Sequence, residues 1–300
     1  ADPLGYQIPQ YGLDILALLA DLRSTSDVLH IDWVGTSMGG LIGMALAAPP
    51  HQALRRLVLN DVGPEIQLAS LRRIETYLGN LPVFPSEIAA IHVLEKISAA
   101  FGPHSPEQWL ALSRPMLRRS LGGWTLHYDP GIAAPFRQML AAMEALHHGG
   151  GGAAAESPLW QLYDQIQACC LLLRGAESDL LTPETAAAMA NRGPRARCVE
   201  FAGVGHAPAL VQPDQVGVAD IGRQQFAIGP ELLVSELGFH DRLRCRRKGK
   251  FVLGDAAVFE RALVVEPHAP VGTDHRDALV HVVEGEFEQV RLVDEVGHVE

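Results

Sequence analysis

Three residues of the types used in nucleophilic catalysis occur in a suggestive order along this chain. Ser37 is the centre of Gly35-Thr36-Ser37-Met38-Gly39, a G-x-S-x-G sequence, and Asp179 and His206 follow it. A serine hydroxyl needs a base to become a nucleophile, and the base needs an acid that orients it. The three residue types therefore predict a Ser-His-Asp triad that attacks a carbonyl carbon.

The elements around Ser37 favour a sharp turn from a strand into a helix. Val28–Val34 has the apolar pattern of a strand, and Leu41–Ala48 that of a buried helix, which Pro49-Pro50 ends. A residue at the centre of such a turn is strained, and flanking glycines remove side chains that would clash. The Met38 backbone N–H would then point at the oxyanion formed when Ser37 attacks. The alternative is a Gly/Ser turn without chemistry.

The proposed acid and base follow two further predicted strands. Asp179 comes after Cys170–Arg174, and His206 comes after Arg197–Phe201. Open α/β sheets place their sites beyond the carboxyl ends of their strands, so both side chains are expected at one edge. Each also has a purely structural interpretation, Asp179 as a helix cap and His206 as a turn residue.

Asp61 is an alternative candidate for the acid that orients His206. It follows another short apolar strand, Leu57–Leu59, and belongs to Asn60-Asp61-Val62-Gly63-Pro64. In that setting an aspartate often only stabilises the turn. We therefore favour Asp179 over Asp61 as the partner of His206.

The order of the predicted elements indicates an α/β fold with a helical insertion. Strand, helix and strand follow each other closely before residue 65, which is typical of a parallel sheet. Helical patterns then dominate up to a flexible joint at His147–Ser157, HHGGGGAAAES. The four helical segments expected there are Leu68–Leu78, Ser86–Ala100, Pro106–Arg119 and Pro135–Leu146.

Four phrases resemble the bacterial serine esterases of the α/β-hydrolase fold. They are WVGTSMGGLIGMALAA at 33–48, LVLNDVGPEI at 57–66, LLRGAESDLL at 172–181 and FAGVGHAP at 201–208. The resemblance covers residues 1–216. It implies a mostly parallel sheet, the triad Ser37, Asp179 and His206, and a helical cap over the site.

The same resemblance implies a division of the chain and a defect in it. Residues 1–64 and 158–216 correspond to the hydrolase core and 65–157 to the cap. In that family four strands precede the nucleophile strand, and a His-Gly loop after one of them supplies a second oxyanion donor. Neither is found here, so we expect an N-terminally truncated fold with an exposed edge on the nucleophile strand.

Five large apolar side chains in or just after the predicted cap could line a pocket for the acyl group of a substrate. They could equally serve only to pack the cap together. They are Trp109, Met116, Trp124, Phe136 and Trp160.

Composition narrows the range of partners. The net charge is −11, which argues against a general nucleic-acid binder. No apolar run is long enough to span a bilayer and no signal peptide is visible. The four cysteines show no metal-binding spacing and are typical of reduced thiols. These features predict a cytoplasmic protein that needs no cofactor and no metal.

Residues 217–300 do not fit the hydrolase pattern and are left unassigned. Six of the nine residues in Arg242–Lys250 are basic, and β-like runs follow at Phe251–Leu253, Ala262–Val265, Ala278–Val283 and Glu288–Leu292. Three interpretations stay open: an accessory β domain, a basic contact surface, or a non-native reading frame. We favour the last, because it would explain both the abrupt break in the hydrolase pattern and the missing N-terminal strands. The excess of Arg over the three Lys suggests a GC-rich gene, in which long alternative reading frames occur by chance.

The sequence thus predicts a serine hydrolase that cleaves carboxylic esters of small, largely apolar substrates through an acyl-enzyme. Thioesters, lactones and carbon–carbon bonds stay open as substrates, since all pass through similar oxyanions. A hypothesis of another class is an inactive remnant that only binds a small apolar ligand. The oligomeric state is not predicted.

Overall fold

The structure is a computed structural model that describes residues 3–25, 30–49, 54–148, 156–218, 261–267 and 277–284. The strands in these residues are β1 (His30–Thr36), β2 (Leu54–Asn60), β3 (Leu117–Ser120), β4 (Gly123–Leu126), β5 (Cys169–Gly175), β6 (Arg197–Phe201), β7 (Arg261–Pro267) and β8 (Asp277–Glu284). The α-helices are α1 (Ile8–Thr25), α2 (Met38–Ala47), α3 (Leu68–Glu75), α4 (Glu87–Ile97), α5 (Pro106–Ser113), α6 (Ala133–His148), α7 (Pro158–Gln165) and α8 (Pro183–Asn191).

The main sheet has the order β6-β5-β2-β1-β8-β7. The pairs β6–β5, β5–β2, β2–β1 and β1–β8 are parallel, and β8–β7 is antiparallel. Successive side chains enter opposite faces of the sheet, as the two-residue period of a strand requires. Leu172 therefore belongs to one core cluster, while Leu171 and Leu173 belong to the other. The predicted α/β sheet is confirmed, with strands β1, β2, β5 and β6 at the expected segments.

Helix α2 packs very closely on the sheet, because glycines face the strands. A Cβ added at Gly43 would lie 2.7 Å from the Trp33 ring, and one at Gly40 would lie 2.4 Å from Val62 Cγ1. The Trp33 indole N–H also donates to the Gly39 carbonyl at 3.0 Å. This contact fixes the start of α2 relative to the end of β1.

The insertion between β2 and β5 has its own small apolar cluster, which includes Phe84, Ile91 and Leu117. The predicted helix over Pro106–Arg119 is wrong in its second half. Helix α5 stops at Ser113, and the chain then forms the β3–β4 hairpin. Proline at position 115 explains the stop, because it lacks the backbone N–H that a continuing helix would need.

Strands β7 and β8 come from the segment that the sequence left unassigned, and they extend the main sheet. β8 pairs with β1 from His30 to Gly35, so the edge of β1 that was expected to be exposed is covered. The runs at Ala262–Val265 and Ala278–Val283 are confirmed as strands. The other two β-like runs, the basic run Arg242–Lys250 and most of the His147–Ser157 joint lie outside the described residues.

Among the described residues, no helix combines the length and apolar character needed to cross a membrane.

Candidate active site

Ser37 lies in the predicted sharp turn between β1 and α2. Its backbone has φ 50° and ψ −118°, a strained conformation that costs about 1–3 kcal/mol. Gly35 makes the turn sterically possible, because a Cβ at this position would lie 2.4 Å from the Gly39 carbonyl oxygen. The turn is tied to the sheet by the Ser37 N–H, which donates to the Asn60 carbonyl at 3.0 Å. The Ser37 side chain is thus held at the carboxyl end of β1.

His206 comes to Ser37 from the loop after β6. Its Nε2 is 3.0 Å from Ser37 Oγ. The loop can approach because Gly175, at the end of β5, has no side chain: a Cβ there would lie 2.2 Å from the Gly205 carbonyl oxygen. On its other side, the Gly205 N–H donates to the Ala100 carbonyl at 2.6 Å. The imidazole side chain is 11% exposed.

Asp61 lies on the far side of the imidazole. His206 Nδ1 is 2.7 Å from Asp61 Oδ2. A carboxylate only accepts hydrogen bonds, so Nδ1 carries the proton and Nε2 faces the Ser37 hydroxyl as an acceptor. Asp61 is completely buried, and it also accepts from the Gly175 N–H at 2.9 Å and from the Ser178 hydroxyl at 2.5 Å. Three donors therefore balance its burial.

The expectation that Asp179 contacts His206 is wrong. Asp179 instead forms a two-point ion pair with Arg73 of α3, with both N–O distances at 2.8 Å, and its backbone carbonyl accepts from the Ser70 hydroxyl. Burial alone would raise the pKa of the Asp179 carboxyl, but the hydrogen bonds and charge of Arg73 outweigh it, and with a contribution from His206 they lower this pKa. The physical reason for the error is that both oxygens of this carboxylate are bound by the guanidinium of Arg73, which is far from Asp179 in sequence.

One signal in the sequence could have indicated Asp61. β2 is the strand next to β1, so a residue that directly follows β2 lies beside the turn that carries Ser37. Asp61 is that residue, and its positive φ of 55° turns the chain at the strand end. The same position that looks like a turn aspartate in sequence is therefore also the position nearest to the nucleophile strand.

Met38 is the first residue of α2 and directly follows Ser37. The N-terminus of a helix carries a partial positive charge, which stabilises a developing anion nearby. The backbone N–H of Met38 has the position in the chain that an oxyanion donor requires. This is the only donor that the sequence indicated.

Three of the five side chains suggested for an acyl pocket pack in apolar clusters of the structure. Trp160 is buried in the main core and packs edge-on against Tyr163, and Met116 and Trp124 pack on the apolar cluster of the insertion. Trp109 is buried too, and it borders an open groove of about 380 Å³ together with His104. Phe136 is half-buried.

The described residues contain no group of three His, Cys, Asp or Glu side chains that could hold a metal ion. Cys169, Cys170 and Cys198 are free thiols, while Cys245 lies outside the described residues.

Comparison with known proteins identifies the fold. Residues 2–219 match the model of the alpha/beta hydrolase family, and the chain belongs to that family. A 3-hydroxybutyrate-oligomer hydrolase of Cupriavidus necator is 45% identical over 224 residues, which are 73% of this chain and 72% of the relative.

Solved structures agree with this assignment. An alpha/beta hydrolase from Novosphingobium aromaticivorans is 33% identical, with a TM-score of 0.62 over 75% of this chain and 74% of its own. A putative hydrolase from Rickettsia typhi is 26% identical, with a TM-score of 0.64 over 75% and 72%. The predicted α/β-hydrolase fold is confirmed, and the chain is a hydrolase of that fold.

Proposed function

We propose that this chain is a serine ester hydrolase in which Ser37 is the nucleophile, His206 the general base and Asp61 the orienting acid. One observation carries the proposal: a continuous line of hydrogen bonds from Ser37 Oγ through His206 to Asp61, with distances of 3.0 and 2.7 Å. These distances are within the reach that proton transfer to a base requires.

The geometry supports a two-step reaction. His206 Nε2 takes the proton of the Ser37 hydroxyl as its oxygen attacks the ester carbonyl. The anionic oxygen that forms is stabilised by the Met38 N–H at the start of α2. The imidazolium then protonates the leaving alkoxide, and an acyl-serine ester is formed. Water attacks this ester with His206 again as the base, which releases the acid and restores Ser37.

Asp61 contributes by holding the imidazole in one tautomer and by stabilising its positive charge. The carboxylate is fully buried and receives two donors besides His206, so its direction is fixed. A buried and oriented charge acts more strongly than a solvated one, because water does not screen it. The assignment of the acid to Asp61 thus replaces the earlier assignment to Asp179.

We propose short esters of a hydroxy acid as the substrate class. Support comes from the relative named as a 3-hydroxybutyrate-oligomer hydrolase, whose substrate is a short chain of hydroxy acid units joined by ester bonds. Hydrolysis of such an ester can proceed through attack by a serine hydroxyl and involves no change of oxidation state, so the proposed triad could carry it out. The proposed substrates are thus small, largely apolar esters, and the bond that is cut is the ester bond.

Residues 65–157 are proposed to act as a cap over this site. The support is that they contact the loop that carries His206 and the loop after β5, whose Ser178 hydroxyl donates to Asp61. Arg73 pairs with Asp179 in the loop after β5, and Ala100 accepts from Gly205 beside His206. We propose further that the chain works in the cytoplasm, in keeping with its three free thiols in the described part.

The decisive test is the Ser37→Ala variant with two substrates, the dimer of 3-hydroxybutyrate and p-nitrophenyl butyrate. We expect wild type to hydrolyse both and to be labelled by a fluorophosphonate, and the variant to lose both properties. Removing the nucleophile of a serine triad costs about 10⁶-fold in kcat. Thr25→Ala, on an exposed helix end, is the matched control and should behave as wild type. Equal rates for wild type and Ser37→Ala would exclude this assignment, and an unlabelled wild type would favour an inactive remnant.

A further inference from the structure

Asn60 is the last residue of β2 and precedes Asp61. It is completely buried. Its side-chain Nδ2 donates to Thr36 Oγ1 at 2.9 Å and to the Pro208 carbonyl oxygen at 2.8 Å. Its backbone carbonyl accepts from the Ser37 N–H at 3.0 Å. One residue therefore joins the end of β2 to two other segments of the site.

These contacts connect the segment that carries Ser37 to the segment that carries His206. Thr36 directly precedes Ser37, and Pro208 lies two positions after His206. Asp61 holds the imidazole ring, whereas the Asn60 side-chain amide holds the Thr36 hydroxyl and the Pro208 carbonyl, which lie close in sequence to the two reacting residues.

We propose that Asn60 is a positioning residue that sets the distance between the Ser37 hydroxyl and the His206 imidazole. It acts through Thr36 and Pro208 and not through the substrate. The inference rests on the proposed function, because it concerns the efficiency of the same serine and histidine.

The chemistry of the amide explains why this position needs asparagine. An amide nitrogen has two N–H donors, and both are used here. Aspartate has the same shape but no donor when ionised, and leucine has none. The Asn60 Oδ1 has no hydrogen-bond partner within the described residues, although it is buried. A buried oxygen without a partner costs stability, so the value of this side chain lies in its two donors.

The test compares Asn60→Ala with two variants of its partner, Thr36→Val and Thr36→Ser. Thr36→Val removes one acceptor at nearly constant volume, while Thr36→Ser keeps the hydroxyl. For Asn60→Ala we expect kcat to fall about 10- to 100-fold with KM almost unchanged, since misplacement by 1 Å can cost about 100-fold. Thr36→Val should lose less, and Thr36→Ser, which keeps the acceptor, should retain more activity than Thr36→Val. Asn60→Ala combined with Thr36→Val should lose less than the product of both effects.

A second readout does not depend on catalysis. In protein with ¹⁵N-labelled histidine, with His206 assigned through His206→Gln, wild type should show a protonated Nδ1 protected from water by Asp61. Asn60→Ala loosens the loop at Pro208, so this proton should exchange faster. Thr36→Val leaves the Pro208 contact intact and should keep the signal. Thermal unfolding of each variant fixes an assay temperature at which all are folded.

The outcomes separate the inference from the proposed function. Wild-type kcat and unchanged Nδ1–H exchange in Asn60→Ala would overturn the inference and leave the hydrolase proposal intact. If Asn60→Ala does not fold, equal rates for Thr36→Val and Thr36→Ser would overturn the inference. If wild type hydrolyses neither ester, the hydrolase proposal fails, and the exchange measurement still decides whether Asn60 holds the histidine loop.

Discussion

Two carboxylates lie at the same edge of the sheet, and they have opposite surroundings. Asp61, after β2, is fully buried and receives donors from Gly175, Ser178 and His206. Asp179, after β5, has a side chain that is 47% exposed and pairs with Arg73, which is 41% exposed. Both residues are aspartates beyond a strand end, Asp61 directly after β2 and Asp179 further beyond β5, which ends at Gly175. Their positions and their surroundings together separate their roles.

The comparison shows what makes an aspartate suitable for orienting a histidine. A buried carboxylate with fixed donors holds one direction, and its charge is not screened by water. An exposed ion pair is screened, and its guanidinium partner already satisfies the oxygens. Asp61 therefore fits the orienting role, while Asp179 fits a contact between α3 and the loop after β5.

The largest expected effect follows from exchanging each carboxylate for an amide. In Asp61→Asn the imidazole loses the charge that holds its tautomer, and kcat should fall by about 10³- to 10⁴-fold. In Asp179→Asn it should change by less than about threefold, because only an exposed pair is lost. Steady-state hydrolysis of p-nitrophenyl butyrate measures both. A loss in Asp179→Asn as large as that in Asp61→Asn would reverse the comparison.

Much of the fold was predictable from sequence, because its signals are local. The apolar runs of β2 and β5 form strands as predicted, and helix α2 covers the predicted run Leu41–Ala48 as far as Ala47. The turn at Ser37 follows from the same logic, since glycine at position 35 leaves room for the Gly39 carbonyl.

The choice of the acid was not predictable in the same way. It depends on contacts between residues far apart in the chain, above all the pair of Arg73 with Asp179 and the bond from Ser178 to Asp61. No local sequence pattern predicts which carboxylate will form an ion pair with an arginine that is far away in the chain. The pairing of β8 with β1 is equally non-local, because it joins a strand beyond residue 276 to the nucleophile strand.

Ser178 allows a second test of the difference between Asp61 and Asp179. It is adjacent to Asp179 in sequence, but its hydroxyl donates to Asp61. Its hydroxyl donates to Asp61 Oδ2 and accepts from the Leu180 and Leu181 N–H groups at 3.3 and 3.2 Å. A hydrogen bond to a charged group contributes about 1.5–3 kcal/mol to stability. We expect Ser178→Ala to cost about 1.4 kcal/mol of this in the transition state, because Asp61 is then less firmly oriented, which lowers kcat/KM about 10-fold. Ser178→Thr keeps the hydroxyl and is the control. If both variants matched wild type, the orientation of Asp61 would not depend on this bond.

The smallest effects concern the exposed pair of Asp179 and Arg73. Burial alone would raise the pKa of the Asp179 carboxyl, but the hydrogen bonds and charge of Arg73 outweigh it and lower this pKa. In Arg73→Gln these contributions are lost, so the pKa of Asp179 should rise toward the ordinary value of an aspartate. A pH titration of the Asp179 carboxyl carbon by NMR measures the change.

Arg73→Lys is the matched control, because it keeps the positive charge but not the two-point contact of the guanidinium. The pKa of Asp179 in this variant should stay closer to that of wild type than in Arg73→Gln. Titrations at low and high salt provide a second control, because screening should shrink the difference between wild type and Arg73→Gln. An unchanged pKa of Asp179 in Arg73→Gln would mean that the ion pair with Arg73 does not set the surroundings of this carboxylate.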